Sequence, residues 1–296
     1  MKQLVILSGK GGTGKTSVAA AFAHLEHDKH SPIRTVLADA DVDAANLDLV
    51  LQPDRLETHE FTGGAVAVID RDRCQDCGVC EQVCRFDAVF HQVEGYFVDP
   101  INCEGCAACV YQCPENAIHM EAQIAGNWYH SETLFGPLFH AELFPAQENS
   151  GKLVTAVKQH ARLYAQDNNH PLLIVDGPPG IGCPVISAAA GADLALIVTE
   201  PTIAGIHDLR RALQTTTHFR IPTLVVINKA DLFPEGTIEI ETVCAGMGID
   251  VVGYIPFDLT VTEAMIQGQP VTAYHPEAPA SQALAGVWQT VLNKLE

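Results

Sequence analysis

The chain is poor in positive charge. Its 296 residues hold 17 lysines and arginines against 36 aspartates and glutamates, a formal net charge of −19. Phosphate backbones are gripped by clustered Lys and Arg, so this deficit argues against a nucleic-acid surface. It argues against an anionic membrane surface for the same reason. Long apolar runs are also missing: no stretch approaches the ~18 apolar residues of a membrane span. The opening Met1-Lys2-Gln3-Leu4-Val5-Ile6-Leu7 is too short a run for a signal peptide and passes directly into glycines. The expectation is a cytoplasmic protein with neither membrane nor nucleic acid as partner. Apolar residues make up 47% of the chain, enough for a sizeable core, and the length fits about two domains.

Cysteine, by contrast, is plentiful, and ten thiols in such a chain point to metal rather than disulfides. Eight of them form two runs, Cys74-x-x-Cys77-x-x-Cys80-x-x-x-Cys84 and Cys103-x-x-Cys106-x-x-Cys109-x-x-x-Cys113-Pro114. A doubled C-x₂-C-x₂-C-x₃-C is the signature of a bacterial-type two-cluster ferredoxin, in which the fourth cysteine of each run crosses to the other cluster. One 4Fe–4S cluster is then expected on Cys74, Cys77, Cys80 and Cys113, and a second on Cys103, Cys106, Cys109 and Cys84. Zinc is the competing reading, since C-x₂-C pairs also bind zinc; a colourless, zinc-containing anaerobic preparation would decide for it. The proline that follows Cys113 is replaced by Arg85 after Cys84. A positive charge there is expected to raise the potential of that cluster.

On either side of the cysteines the pattern is α/β. Val5–Leu7, Thr35–Ala38, Leu172–Val175, Leu194–Val198, Thr223–Ile227 and Val251–Ile255 read as strands, with helical patterns between them. That alternation implies a mostly parallel sheet covered by helices. Residues 1–55 and 124–296 are therefore expected to fold together. Residues 56–123 form an inserted small α+β ferredoxin domain, with short strands at Ala65–Ile69 and Tyr96–Val98. Residues Trp128 to Ser150 show little periodicity and are expected to form a loop or hairpin. Leu284, Val287, Trp288, Val291, Leu292 and Leu295 form one apolar stripe at helical spacing. A surface-binding amphipathic helix would carry basic residues on its other face, and only Lys294 is available. The stripe is expected to pack on its own domain.

Gly9-Lys10-Gly11-Gly12-Thr13-Gly14-Lys15-Thr16 matches the P-loop G-x-x-x-x-G-K-[ST], between a strand and a helical pattern that runs to about Leu25, and Gly9, Gly11 to Thr16 and the following Ser17 are expected to bind the nucleotide. Its glycines let backbone N–H groups cradle phosphates, and the helix adds its positive end. Lys15 is placed for the β- and γ-phosphates and Thr16 for Mg²⁺. With Lys10, the loop resembles the deviant Walker A family that includes MinD, ParA, Mrp-type proteins and the nitrogenase iron protein. The resemblance implies a dimer, of two copies or with a related ATPase, in which Lys10 reaches the partner's nucleotide as an arginine finger would. It also implies ATP as the nucleotide.

The same resemblance assigns further residues. Asp39-Ala40-Asp41-Val42-Asp43 is similar to the family's switch I, with Asp39 or Asp41 orienting the attacking water and Asp43 near the metal's water shell. Asp176, at the end of an apolar strand and before Gly177-Pro178-Pro179-Gly180, looks like Walker B with switch II. Asp176 would hold Mg²⁺ through water, the prolines would stiffen the loop, and the Gly180 N–H would meet the γ-phosphate. Asn228-Lys229-Ala230-Asp231 looks like a guanine-reading N-K-x-D, but by the resemblance Asn228 would contact adenine, Lys10 deciding for ATP over GTP, and Pro256 and Asp258 belong to a second base loop.

Cys183 lies seven residues past Asp176, the offset of a cluster-ligating cysteine in the nitrogenase iron protein. A small buried thiol is the competing reading, and Cys244 reads as core. The thirteen histidines lack metal-ligand spacing and read as structural. Asn149-Ser150-Gly151-Lys152 reads as an approach to nucleotide or partner, or as a turn opening the helix from Leu153.

The whole pattern resembles MinD-superfamily ATPases with an inserted ferredoxin domain. It implies a dimeric ATPase that gates electron transfer from two clusters to a partner protein. Two other readings are a carrier that delivers clusters or metal cofactor to an accepting protein, and a MinD- or ParA-type positioning ATPase. The insertion begins about ten residues beyond Asn46. Movement of the switch loop would then reorient both clusters.

Overall fold

The architecture is that of a computed structural model, which describes residues 1–27, 35–145 and 150–296. In chain order, β1 (Lys2–Ser8) leads through the glycine loop into α1 (Lys15–His27), β2 (Thr35–Asp39) and α2 (Leu47–Leu51). Then come β3 (Asp54–Ile69), α3 (Val79–Val83), β4 (Val89–Gln92), β5 (Gly95–Val98), α4 (Ala108–Gln112), β6 (Ile118–Thr133) and β7 (Gly136–Leu143). A regular alternation follows: α5 (Ser150–Asp167), β8 (Leu172–Pro179), α6 (Cys183–Ala189), β9 (Leu194–Thr199), α7 (Ile203–His218), β10 (Thr223–Asn228), α8 (Pro234–Met247) and β11 (Asp250–Ile255). The chain closes with α9 (Leu259–Ile266), α10 (Val271–Tyr274) and α11 (Pro279–Leu295).

Among the described residues, nine strands form one sheet in the order β11-β10-β9-β1-β8-β2-β7-β6-β3. The pairings from β11 across to β7 are parallel. β2 and β9 bury every residue and β1 all but its first. Strands that bury successive residues must be covered on both faces. On one face Leu4, Ile6 and Ile174 pack with Phe22, Leu284 and Trp288 in a common core. The C-terminal stripe packs on its own domain as expected, and Phe22 lies 4.5 Å from Trp288, centroid to centroid. On the α5 side, Leu153, Val154 and Val157 are fully buried.

The chain divides into two compact units. One comprises Met1–His59, Trp128–Glu142 and Ser150–Glu296; the other comprises Glu60–Asn127 and the segment starting at Leu143. β3 and β6, sixteen residues each, pass from one unit to the other. Only the end of β3, Ala65–Ile69, is legible from alternation, because Asp54–Glu60 is exposed throughout and buries no apolar face. Trp128–Ser150 contains the expected hairpin: β6 turns into β7 through Leu134-Phe135, and the Thr133 hydroxyl donates to Gly136 O at 2.8 Å. Histidines brace this region by packing. Trp128 is sandwiched between His59 and His160, each 4.0 Å away between ring centroids.

Lys158 of α5 is buried and donates to the carbonyls of Ser187, Ala188 (3.4 Å) and Ala190 (2.7 Å), the C-terminal end of α6. A cation at a helix C-terminus satisfies carbonyls that have no intrahelical partner. Lys158→Met is expected to lower stability by about 2–3 kcal/mol, since it strands buried acceptors. An unchanged denaturant midpoint would contradict this clamp.

Candidate functional site

β1 sits mid-sheet between β8 and β9, so its carboxyl end opens onto a crevice where chain connections diverge to opposite sides. The Gly9–Gly14 loop lies there. Gly12 (φ 77°) and Gly14 (φ 94°) hold left-handed backbone that a side chain would strain. Nothing lies within 4 Å of a Cβ built on Gly11 or Gly12, whereas one on Gly14 would strike the Asn228 amide. Asn228 donates from Nδ2 to Thr13 O at 2.8 Å. Lys15 opens α1 and is buried, as is Thr13, whose hydroxyl finds no partner.

The β2–β8 register places Asp39 beside Asp176. Asp176 is 1% exposed, and neither carboxylate oxygen has a hydrogen-bond partner. Burial pushes its pKa up to about 6, partly offset by Lys15 and by the Thr16 hydroxyl nearby. A buried, partnerless carboxylate facing a lysine and a threonine hydroxyl suits a divalent cation with its water shell.

The structure separates two aspartates that the sequence leaves equivalent. Asp39 is buried and accepts from the backbone N–H groups of Asp41 (3.0 Å), Asn46 (3.2 Å) and Leu47 (3.0 Å). It therefore shapes the switch loop and caps α2. Its acidity is weakened first by burial and then by Asp176. Asp41 is only half-buried and lies within electrostatic reach of Lys15 and Asp176. Asp43 is exposed.

Other expectations change. β8 continues through Pro179, because a bulge opposite Ile6–Ser8 absorbs Gly177-Pro178. The Gly180 N–H, expected to face the γ-phosphate, donates to Ser8 O at 2.9 Å. Asp258 caps two helices: it accepts from Thr260 N (2.9 Å) at the start of α9 and from Ala280 N (3.2 Å) in α11. Pro256 is half-buried, and nearby Phe257 donates its N–H to Asp231 at 2.7 Å, joining the two loops read as base loops. Cys183, the first residue of α6, is exposed rather than buried, while Cys244 is core, its thiol pushed up to about 11 by burial. Ser150–Lys152 already belong to α5; Asn149 lies outside the described residues. Ser17, inside α1, directs its hydroxyl toward Met265 Sδ at 3.7 Å.

In the second unit, Cys74, Cys77, Cys80 and Cys113 line one cavity, with Tyr96 and Ile118. It holds about 330 Å³ of atom-free space, part of it open to solvent. Cys103 and Cys106 lie within electrostatic reach of Cys109, and Cys84, Cys103 and Cys109 pack on the same small core. The eight thiols are free. Among the described residues no three His, Cys, Asp or Glu side chains converge tightly enough for a single metal ion.

Sequence reasoning missed Glu200, which follows β9 and is paired with both Lys10 and Lys229 (3.2 Å). A lone Glu before a proline carries no motif; only the fold brings it to the P-loop.

A strand–glycine loop–helix at the centre of a parallel sheet, with a buried aspartate on the adjacent strand, defines a P-loop nucleotide-binding protein. The CobQ/CobB/MinD/ParA nucleotide-binding domain matches residues 4–271. The chain belongs to that family and is an ATPase of the ParA/MinD type. An uncharacterised protein of Methanocaldococcus jannaschii is 37% identical over 227 residues, 77% of this chain and 78% of that protein. An iron-sulfur cluster carrier protein of Pyrococcus abyssi is 30% identical over 138 residues, 42% of this chain and 46% of the carrier. The fold resembles that of Pyrococcus horikoshii MinD complexed with Mg-ADP (TM-score 0.58, 19% identity, covering 98% of this chain and 95% of that one). No helix among the described residues is long and apolar enough to cross a membrane.

Proposed function

We propose that the protein is a dimeric iron-sulfur ATPase in which ATP binding and hydrolysis gate electron transfer from two 4Fe–4S clusters to a partner protein. The observation that carries this reading is the cavity walled by Cys74, Cys77, Cys80 and Cys113. Three of these come from one sequence run and one from the other, the crossed set that the doubled motif requires. Thiols spread around a cavity suit a polyatomic cluster, whereas a tetrahedral zinc draws its ligands to a point. Cys103, Cys106, Cys109 and Cys84 are assigned the second cluster. Clusters bound by four cysteines each supply one-electron carriage and offer no open iron site.

In the ATPase unit, the Gly9–Thr16 backbone binds the phosphates and Lys15 neutralises them. Asp176 and the Thr16 hydroxyl would hold Mg²⁺, which supplies charge neutralisation at the phosphates. Asp41 orients the attacking water, and Asp39 sets the loop that presents it. Asn228 and Pro256 face the base, and Lys10 serves the partner's nucleotide. Lys10→Ala is expected to lower ATP turnover by about 10³-fold or more, the range of an arginine finger. Turnover close to that of the unaltered chain would remove the trans role. ATP should also be hydrolysed in preference to GTP under identical conditions.

A second reading, delivery of a cluster or metal cofactor to an acceptor, is favoured by the likeness to iron-sulfur cluster carriers over part of the chain. One anaerobic experiment separates the two. The reconstituted protein, its clusters first reduced with dithionite and the excess removed, is incubated with ATP and an apo-ferredoxin, following iron on each protein and one-electron reduction of an added redox acceptor as the clusters are reoxidised. Electron gating predicts ATP-dependent reduction with all iron retained; movement of iron to the apo-protein decides for delivery.

A further inference from the structure

We propose that Glu200 is an own-chain latch for Lys10, and that Lys229 makes the latch releasable. The proposal rests on Lys10 acting in trans. Lys10 Nζ is salt-bridged to one oxygen of the Glu200 carboxylate and lies 3.4 Å from the Thr202 hydroxyl. The other carboxylate oxygen is 3.2 Å from Lys229 Nζ, which also lies 3.5 Å from Gly12 O. Two ammonium groups thus share one carboxylate. Glu200 is the more enclosed side chain, 12% exposed against 31% for Lys10. Together the lysines hold its acid below the ordinary range despite the opposing effect of burial.

The two ends of the latch differ in rigidity. Glu200 sits on a pinned turn. Thr202 N donates to Glu200 O at 2.8 Å, and Thr202 caps α7 by accepting from Gly205 N at 3.0 Å. A Cβ on Gly205 would collide with Glu200 O, and one on Gly236 would lie 2.5 Å from Pro201 O. The Lys10 backbone is held on one side, where Gly9 packs against Asp208 and the Ser8 hydroxyl donates to Lys10 O at 2.6 Å, and is uncrowded on the other, at Gly11 and Gly12. Its long side chain is the more exposed partner and is therefore the end that moves. When it leaves, Lys229 stays on Glu200, so no buried carboxylate is stranded. Without Lys229, departure of Lys10 would leave that charge unpaired, a costly state in a partly desolvated site. Dimerisation must then compete with Glu200 for Lys10, and Glu200 sets the chain concentration at which trans hydrolysis begins.

The test is steady-state ATP turnover per chain, at saturating Mg-ATP, against chain concentration of the full reconstituted protein. Glu200→Gln should shift the half-maximal concentration down by about five- to tenfold, a charge-assisted bond discounted for partial exposure. Glu200→Asp should sit near the unaltered protein. Lys229→Met should shift the midpoint upward. Lys10→Ala should abolish the concentration dependence, and Lys10→Ala/Glu200→Gln should match Lys10→Ala alone. Binding of a fluorescent ATP analogue and the unfolding midpoint report whether each variant is folded. An unchanged Glu200→Gln midpoint overturns the latch, as does loss of turnover matching Lys10→Ala, which would make Glu200 an aid to catalysis. If Lys10→Ala retains full turnover, the trans reading itself has failed.

Discussion

Asp176→Asn is expected to lower Mg²⁺-dependent ATP turnover by on the order of 10³-fold, as loss of a group holding a catalytic cation does, and to stabilise the nucleotide-free chain. The second effect follows from burial. Asp176 is enclosed with both oxygens unpartnered, and its pKa is pushed up to about 6 from 3.8. Its folded-state pKa therefore lies above the unfolded value. The contribution to stability is fully present below about pH 4 and is lost as pH rises through about 6, where the folded chain carries a desolvated charge. A shift of roughly two units corresponds to about 3 kcal/mol at neutral pH. Asp39 is pushed the same way, partly by Asp176, so the substitution relieves it too.

The measurement is urea unfolding of the nucleotide-free protein at pH 7.5 and pH 5. The unaltered chain should gain stability on acidification relative to Asp176→Asn, and the gap between them should close. Parallel profiles would show that the Asp176 charge is not what strains the folded state. Mg-nucleotide should shift the unaltered protein upward far more than the variant, because ligand binding to the folded state adds stability by mass action.

Cys80→Ala should halve the iron. Cys80 is the most enclosed of the eight thiols and lies in the small core with Ala67, Val89 and Ile118. Alanine keeps that core apolar while removing one ligand of the cavity. Anaerobically reconstituted protein is expected to fall from about eight iron atoms per chain to about four, with the spectroscopic signature of one cluster surviving. Cys183→Ser, outside both runs, should keep all the iron. Unchanged iron in Cys80→Ala would refute the crossed ligand set. A loss of two to three iron atoms on Cys183→Ser would instead place a further cluster at that exposed thiol.

The P-loop, the β8 aspartate and the doubled cysteine runs are legible in the sequence because each depends on local spacing. A glycine cradle, a strand-end carboxylate and a C-x₂-C-x₂-C run work through residues a few positions apart, so their chemistry is written in consecutive letters. Continuous apolar runs likewise reveal central parallel strands, because such strands are buried on both faces.

Whatever depends on partners distant in the chain was decided by the tertiary structure alone. Asp39 and Asp41 share one motif, and only the loop's path gives Asp39 three backbone donors and leaves Asp41 facing Lys15. Asp258 stands in a loop read from sequence as a base contact, yet it caps α9 and reaches Ala280, twenty-two residues on. β3 lies beside β6 in the sheet, and its exposed first half carries no hydrophobic period because neither face is buried. Glu200 meets Lys10 across 190 positions of sequence, through a fold that lays β9 beside β1. The sequence by itself determined which phosphate- and metal-binding groups the chain carries; packing decided which of them are spent on backbone, which stay free for a ligand, and which hold one another in place.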